Sequence, residues 1–259
     1  MVAMIKKSLT IFIILLLLSH VKISGQISDT IEITPAWHQR KVVSVLLVPS
    51  ILIGTGIATM YDRGCYSSYD AYEDIQKNHP DFQTNIDDYL MFVPAVGVYG
   101  LNLAGVKGKN NFVDRSLIYL ISISLASITN GIIKNTTNVL RPDGSDYGSL
   151  PSNHTTIAFI SATFLHEEYK DQSIWYGIAG YSIATATGVL RMLNNKHWMS
   201  DVLVGAGIGI LVTKVVYLAY PAVKNLFNAK DNKRSNNKLS LVPQLYPDHY
   251  GIYLHYRFN

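Results

Sequence analysis

The sequence contains one cysteine and few charged residues. Cys65 is the sole cysteine among 259 residues, which excludes an intrachain disulfide. Asp, Glu, Lys and Arg make up 15% of the chain, against roughly 25% in soluble globular proteins. The net charge is +4, and no basic stripe carries the interleaved aromatic residues of a nucleic-acid-binding surface. The composition therefore excludes a disulfide scaffold and gives no indication of a nucleic-acid partner.

Apolar residues are abundant. Hydrophobic residues form 48% of the chain, and the mean hydropathy is +0.16. Four uncharged segments have 18 or 19 residues each, close to the ~20 apolar residues that cross a bilayer, and two weaker segments accompany them. The six segments are 42–60, 89–106, 116–133, 155–165, 172–190 and 202–223. We predict an all-α fold, a six-helix bundle embedded in a membrane; a buried helical bundle in a soluble protein is the alternative.

The two ends of the chain differ from this central domain, 42–223. Residues 1–25 carry two lysines, Lys6 and Lys7, followed by a short apolar run and then by small residues. This is the layout of an export signal peptide; an uncleaved anchor is the alternative. Residues 224–238 are polar and predict a linker. Residues 239–259 contain two runs around a Pro-Asp turn, the second alternating with a period of two, and this predicts a short C-terminal β-hairpin. The hairpin would pack on the bundle or on a partner in the cell envelope.

The segment between the first two apolar segments, 61–88, is acidic and holds seven carboxylates. We predict a solvated cap there; a substrate lid or a metal-binding loop is the alternative, although the metal-ligand spacing is missing. The distribution of Lys and Arg over the flanks, by the positive-inside rule, predicts that 61–88 lies outside the cytoplasm. A cleaved signal followed by six crossings predicts the reverse orientation.

Three polar clusters occur where apolar segments end. The first is K-x6-RP, from Lys134 to Arg141 and Pro142; the second is PSNH, residues 151–154; and the third is R-x5-H-x3-D, residues 191–201. Lys and Arg side chains bind the oxygens of a tetrahedral oxyanion, and backbone N–H groups at a helix N-terminus do the same. In the third cluster His197 and Asp201 are four residues apart, so a helical turn lets the carboxylate hold one imidazole nitrogen.

Together the clusters supply three cations, two histidines and one carboxylate. One histidine can attack phosphorus while the other protonates the leaving oxygen. The cations supply the charge stabilisation that a metal ion would otherwise provide, so we expect neither a metal nor another cofactor. This set suits hydrolysis of a phosphomonoester or pyrophosphate through a phosphohistidine.

The three clusters, in this order and spacing, resemble the signature of the type-2 phosphatidic acid phosphatase family. That family includes membrane lipid phosphatases, soluble bacterial acid phosphatases and vanadium-dependent haloperoxidases. The resemblance implies that His197 is the nucleophile, Asp201 its orienting carboxylate and His154 the general acid. It further implies a set of phosphate-binding residues: Lys134, Arg141, Ser152, the backbone amide of Asn153, and Arg191.

Two positions depart from the family pattern. Asn153 stands where the family usually has Gly, and Leu190 stands where it commonly has Ser. Glycine lets the backbone adopt positive φ and approach the phosphate, and Asn is the next most tolerant residue.

The resemblance implies a phosphatase. The export signal and the distribution of Lys and Arg favour a membrane of the bacterial envelope, with the site facing the periplasm. Its substrate would be a lipid phosphate or pyrophosphate: phosphatidate, phosphatidylglycerol phosphate, undecaprenyl pyrophosphate or lipid A. The alternatives are a periplasmic acid phosphatase acting on small phosphate esters and a scaffold of the same fold weakened by Asn153 and Leu190.

Overall fold

The computed structural model describes residues 37–234, 239–246 and 249–256. Side chains are described for residues 45–225. The chain divides into two compact units, Met1–Gln39 and Arg40–Asn259. The helices and strands described below belong to the second unit, apart from the first residues of α1. The predicted signal peptide, residues 1–25, lies outside the described residues.

The described residues form eight helices. Their bounds are α1 Trp37–Ala58, α2 Ser68–Asn78, α3 Asp87–Leu90, α4 Val93–Leu103, α5 Phe112–Thr137, α6 Asn153–Tyr169, α7 Ile174–Leu193 and α8 Met199–Arg234. Two of them are long and apolar enough to cross a membrane, over Phe112–Thr137 and Met199–Asn225. The model therefore agrees with the composition in favouring a membrane location.

Short polar residues fix where the helices begin. The Ser67 hydroxyl accepts a hydrogen bond from the Asp70 amide, and the Asp70 carboxylate accepts one from the Ser67 amide, which forms a capping box at the start of α2. Asn111 and Ser152 cap α5 and α6 in the same way through their side-chain oxygens. Such caps satisfy backbone N–H groups that have no partner within the helix.

The prediction of a six-helix bundle with a short hairpin is wrong as a description of the fold, because the described residues contain eight helices. The six apolar segments overlap α1 and α4 to α8. The two further helices, α2 and α3, form within the acidic stretch 61–88, which was predicted to be a solvated cap. The capping box explains α2, and α3 is a single turn directly before α4. Helix α8 also continues through Arg234 and takes up most of the predicted linker, 224–238.

Two strands follow the helices in the chain. Leu239–Tyr246 and His249–Tyr256 pair antiparallel, with Leu239 opposite Tyr256 and Tyr246 opposite His249. The strands have eight residues each. Their pairing follows the two-residue alternation of the sequence.

Helix α6 is the centre of the helical domain and packs against α4, α5, α7 and α8. Its contact with α8 is close because glycines of α8 face its backbone. A Cβ atom added at Gly205 would lie 2.8 Å from the Ser152 carbonyl oxygen, and one at Gly209 would lie 2.5 Å from the Thr156 carbonyl oxygen. Small residues four apart allow two helices to approach in this manner. The start of α8 is thereby held against the start of α6.

We predict that Gly209→Ala lowers the stability of the fold. The new methyl group would have to displace the backbone of α6, and overpacking of this kind costs about 1–3 kcal/mol. Gly131→Ala on α5 is the matched control, since no atom lies within 4 Å of the Cβ position there. The measurement is the thermal unfolding midpoint in detergent. Equal midpoints for the two variants would show that the α6–α8 contact does not depend on the glycine.

Candidate active site

The three polar clusters meet at one end of the bundle. Helix α5 ends there, α6 begins there, α7 ends there and α8 begins there, as expected when short connections join antiparallel neighbours. The Ser152 amide donates a hydrogen bond of 3.1 Å to the Asp201 carbonyl oxygen and so joins the second cluster to the third. The ammonium of Lys134 interacts electrostatically with Arg141, Asp201 and Arg191, which places the first cluster beside them.

His197 and Asp201 form a buried pair. Nδ1 of His197 lies 3.5 Å from Oδ2 of Asp201, and the two side chains are 2% and 0% exposed. The same carboxylate oxygen accepts hydrogen bonds from the Ser149 hydroxyl and from the Trp198 amide. These donors hold the carboxylate in place beneath the imidazole, as the spacing of the third cluster predicts. Because Nδ1 faces Asp201, Nε2 is the nitrogen left to face a substrate.

Burial determines the protonation of His197. Removal from water lowers its pKa to about 4, although Asp201 acts in the opposite direction. The nearby Arg191 and Arg141 lower the pKa further, because like charges disfavour the imidazolium. The imidazole is therefore neutral at neutral pH, and its lone pair is available.

Each of the three cations has a partner within the chain. Lys134 donates to the Gly148 carbonyl oxygen, Arg141 lies 3.7 Å from the Asp146 carboxylate, and Arg191 donates to Asp87 at 2.8 Å. Among the described side chains, the buried Nε atoms of Arg141 and Arg191 make no hydrogen bond. Both guanidinium groups thus keep donors that can bind an oxyanion.

Ser152 and Asn153 open helix α6. The Ser152 hydroxyl oxygen accepts bonds from the Thr155 amide and hydroxyl, which leaves its own hydrogen free to donate. The side-chain oxygen of Asn153 accepts a bond of 2.9 Å from Asn130, so this side chain is held by α5.

Residue 153 does not use the positive φ that a glycine would permit. Non-glycine residues with positive φ in the described part of the chain are Tyr61, Asn138 and Asn195. Asn153 is instead the first residue of α6, and its amide lies at the helix N-terminus without backbone strain. Leu190 is half-buried on α7.

His154, in the first turn of α6, is bound by a residue that the sequence did not single out. Its Nε2 lies 2.8 Å from Oδ1 of Asp88, and the side chains are 26% and 50% exposed. Burial and the neighbouring Arg191 lower the pKa of His154, while the hydrogen bond to Asp88 opposes them.

Asp87 is the second residue of the site that the sequence did not single out. It is 1% exposed and accepts bonds from Arg191 and from the Asn194 side chain. Both carboxylates belong to α3, within the stretch that was predicted to be solvated. The order of the apolar segments could have indicated this position. When successive helices alternate in direction, the segment before α4 lies at the same end of the bundle as the C-terminus of α5.

We predict that His197 makes folding stability depend on pH. Its pKa is about 4 in the folded chain and about 6.5 in the unfolded chain, so the unfolded state binds more protons between these values. The stabilisation is complete above pH 6.5 and is lost as the pH falls towards 4, by about 3 kcal/mol in total. Unfolding midpoints measured across this range should fall more steeply for the wild type than for His197→Gln. If the two midpoints fell in parallel with pH, the lowered pKa of His197 would be contradicted.

The comparisons with known proteins agree with the signature. The family model described as PAP2 superfamily matches residues 115–224, and the predicted family resemblance is thereby confirmed. A curated lipid A 1-phosphatase from Porphyromonas gingivalis is 39% identical over 137 residues, which are 52% of this chain and 31% of that relative. The chain therefore spans less than a third of the length of the relative.

Two solved structures are also similar. Aquifex aeolicus LpxE has 19% identity and a TM-score of 0.43, over 56% of this chain and 93% of its own. The transmembrane PAP2-type phosphatidylglycerolphosphate phosphatase from Bacillus subtilis has 23% identity and a TM-score of 0.45, over 73% of this chain and 96% of its own.

Proposed function

We propose that the protein is a membrane phosphatase that removes a terminal phosphate from a lipid through a phosphohistidine. The match of residues 115–224 to the PAP2 superfamily model supports this proposal. The observation that carries this proposal is the buried His197–Asp201 pair beside Lys134, Arg141 and Arg191. A neutral imidazole, fixed by a carboxylate and surrounded by cations, is suited to attack on a phosphate.

In the first step, Nε2 of His197 forms a bond to phosphorus while the bond from phosphorus to the lipid oxygen breaks. The leaving oxygen takes a proton from His154. Charge on the phosphoryl oxygens is stabilised by the three cations, by the Ser152 hydroxyl and by the amide of Asn153. Asp201 stabilises the positive charge that develops on the His197 imidazole.

In the second step, a water oxygen attacks the phosphorus of the phosphohistidine. His154, neutral after the first step, accepts the proton of the water, and the bond from phosphorus to Nε2 of His197 breaks. Inorganic phosphate leaves, and both histidines return to their starting protonation states. The same residue thus acts as acid and then as base.

The position of the site supports a lipid substrate. Lys134 lies near the end of α5 and Asp201 in the first turn of α8, and these two helices are long and apolar enough to cross a membrane. A phosphate at the membrane surface would reach the site while its acyl chains stay in the bilayer. This arrangement favours a lipid phosphatase over a soluble acid phosphatase acting on small esters. We propose further that the site faces the periplasm.

Lipid A stands first among the substrates because the relative with 39% identity is named a lipid A 1-phosphatase. Phosphatidate, phosphatidylglycerol phosphate and undecaprenyl pyrophosphate share the terminal phosphate that the cations bind. We favour an active enzyme over a weakened scaffold, because the His197–Asp201 pair and the three cations are present together.

We predict that the detergent-purified protein releases phosphate from at least one of these four lipids faster than from p-nitrophenyl phosphate. His197→Ala should reduce release by about 10³-fold or more, because the nucleophile is lost. His79→Ala, which removes an exposed histidine at the end of α2, is the matched control and should leave the rate unchanged. Absence of release by the wild type from every lipid would refute the proposal in favour of the scaffold.

We also predict that a chelator leaves the rate unchanged. The carboxylates of Asp87 and Asp88 and the imidazole of His154 approach within 4.8 Å of one another. Each is already bound inside the chain, Asp87 by Arg191 and Asp88 by His154, and three cations supply the charge stabilisation. Phosphate release is measured before and after dialysis against EDTA. A loss of rate that Mg²⁺ or Zn²⁺ restores would contradict a metal-independent mechanism.

A further inference from the structure

The short helix α3 contributes two carboxylates to the site, at residues that lie outside the matched family domain, 115–224. Asp87 is bonded to Arg191, and Asp88 is bonded to His154. In the proposed reaction Arg191 binds the phosphate and His154 protonates the leaving oxygen. Both side chains are therefore held by carboxylates of one helical turn. Each oxygen of Asp87 accepts one hydrogen bond, from Arg191 and from Asn194. Among the described side chains, the Asp88 carboxylate is hydrogen-bonded to His154.

The two histidines face their carboxylates with different ring nitrogens. His197 presents Nδ1 to Asp201, which leaves Nε2 for attack. His154 presents Nε2 to Asp88, which leaves Nδ1 to meet the leaving oxygen. A hydrogen bond at one nitrogen fixes both the orientation of the ring and the position of the proton on the other.

A general acid must carry its proton before the reaction begins, and the surroundings of His154 oppose this. The side chain is half-buried, Arg191 on α7 lies near it, and the N-terminus of α6 carries partial positive charge. All three disfavour the imidazolium. The opposing charges come from α3 alone, where Asp88 makes the hydrogen bond and Asp87 acts at longer range.

We propose that Asp88 is the positioning residue of the general acid: it accepts the Nε2–H of the His154 imidazolium and directs the Nδ1–H to the leaving oxygen. This inference rests on the proposed function, because it assigns a role in that reaction. It also makes α3 part of the catalytic site. Loss of the Asp88 charge would leave His154 in place but lower its pKa further, so that a smaller fraction carries the proton for the leaving oxygen. Turnover then falls while binding of the phosphate by the cations persists.

The test compares Asp88→Asn with the wild type in two measurements. The first is the pH dependence of phosphate release from lipid A. Asp88→Asn should lower kcat about tenfold or more, change KM by less than about threefold, and move the basic limb of the kcat profile down by about one pH unit. Asp88→Glu should recover part of kcat. Asp81→Asn removes an exposed carboxylate from the same acidic stretch and should match the wild type.

The second measurement does not depend on turnover. Diethylpyrocarbonate reacts with the neutral form of a histidine and not with the imidazolium. Its rate of reaction at His154 as a function of pH, read by peptide mass spectrometry, therefore gives the pKa of this residue. The midpoint should be about one pH unit lower in Asp88→Asn than in the wild type and unchanged in Asp81→Asn. A midpoint that does not move would overturn the proposal even if the wild type is active.

Two other outcomes also decide the matter. Asp88→Asn with a raised kcat or a lowered KM would mean that the carboxylate obstructs the phosphate, which overturns the positioning role. A wild type without phosphatase activity would overturn the proposed function and with it the role of Asp88 in catalysis. In that case the reagent midpoints would still report the Asp88–His154 pair, so the two failures are distinguishable.

Discussion

The close approach of α8 to α6 is the constraint on which the site depends. Gly205 and Gly209 leave no side chain between the two backbones, and the Ser152 amide reaches the Asp201 carbonyl oxygen across the gap. Asp201 is thereby fixed at the start of one helix while Ser152 caps the other. The carboxylate is then in position to face His197, so the geometry of the nucleophile follows from backbone packing several residues away.

Charge balance is the second constraint, because three cations converge where four helix ends meet. Cations in a partly buried site repel one another. Carboxylates beside them reduce this repulsion: Asp146 lies near Arg141, Asp87 is bonded to Arg191, and Asp201 lies near Lys134. The buried Nε atoms of the two arginines remain without partners among the described side chains. The site is thus held together by internal ion pairs and keeps donors for an oxyanion.

The structure brings the cations of the three clusters together. Lys134 lies near Arg141 and Arg191, and both arginines lie near His197. The six apolar segments correspond to helices. The helix number was wrong because α2 and α3 lie in a stretch whose carboxylates indicate solvent. Asp87 is nevertheless buried, since its charge is compensated by Arg191, which lies 104 residues away along the chain. No local pattern reports such a partner.

The sequence alone accounts for most of the local elements, because helix starts depend on caps such as Ser152 and apolar runs depend on composition. It also determined the residue types of the chemistry, because their spacing lies within single helix ends. The pairing of Asp88 with His154, and the nitrogen that Asp88 takes, depend on the tertiary structure, because these two residues come together through helix packing. The tertiary structure likewise decided that Asn153 needs no positive φ, because capping by Ser152 makes this residue the first of α6.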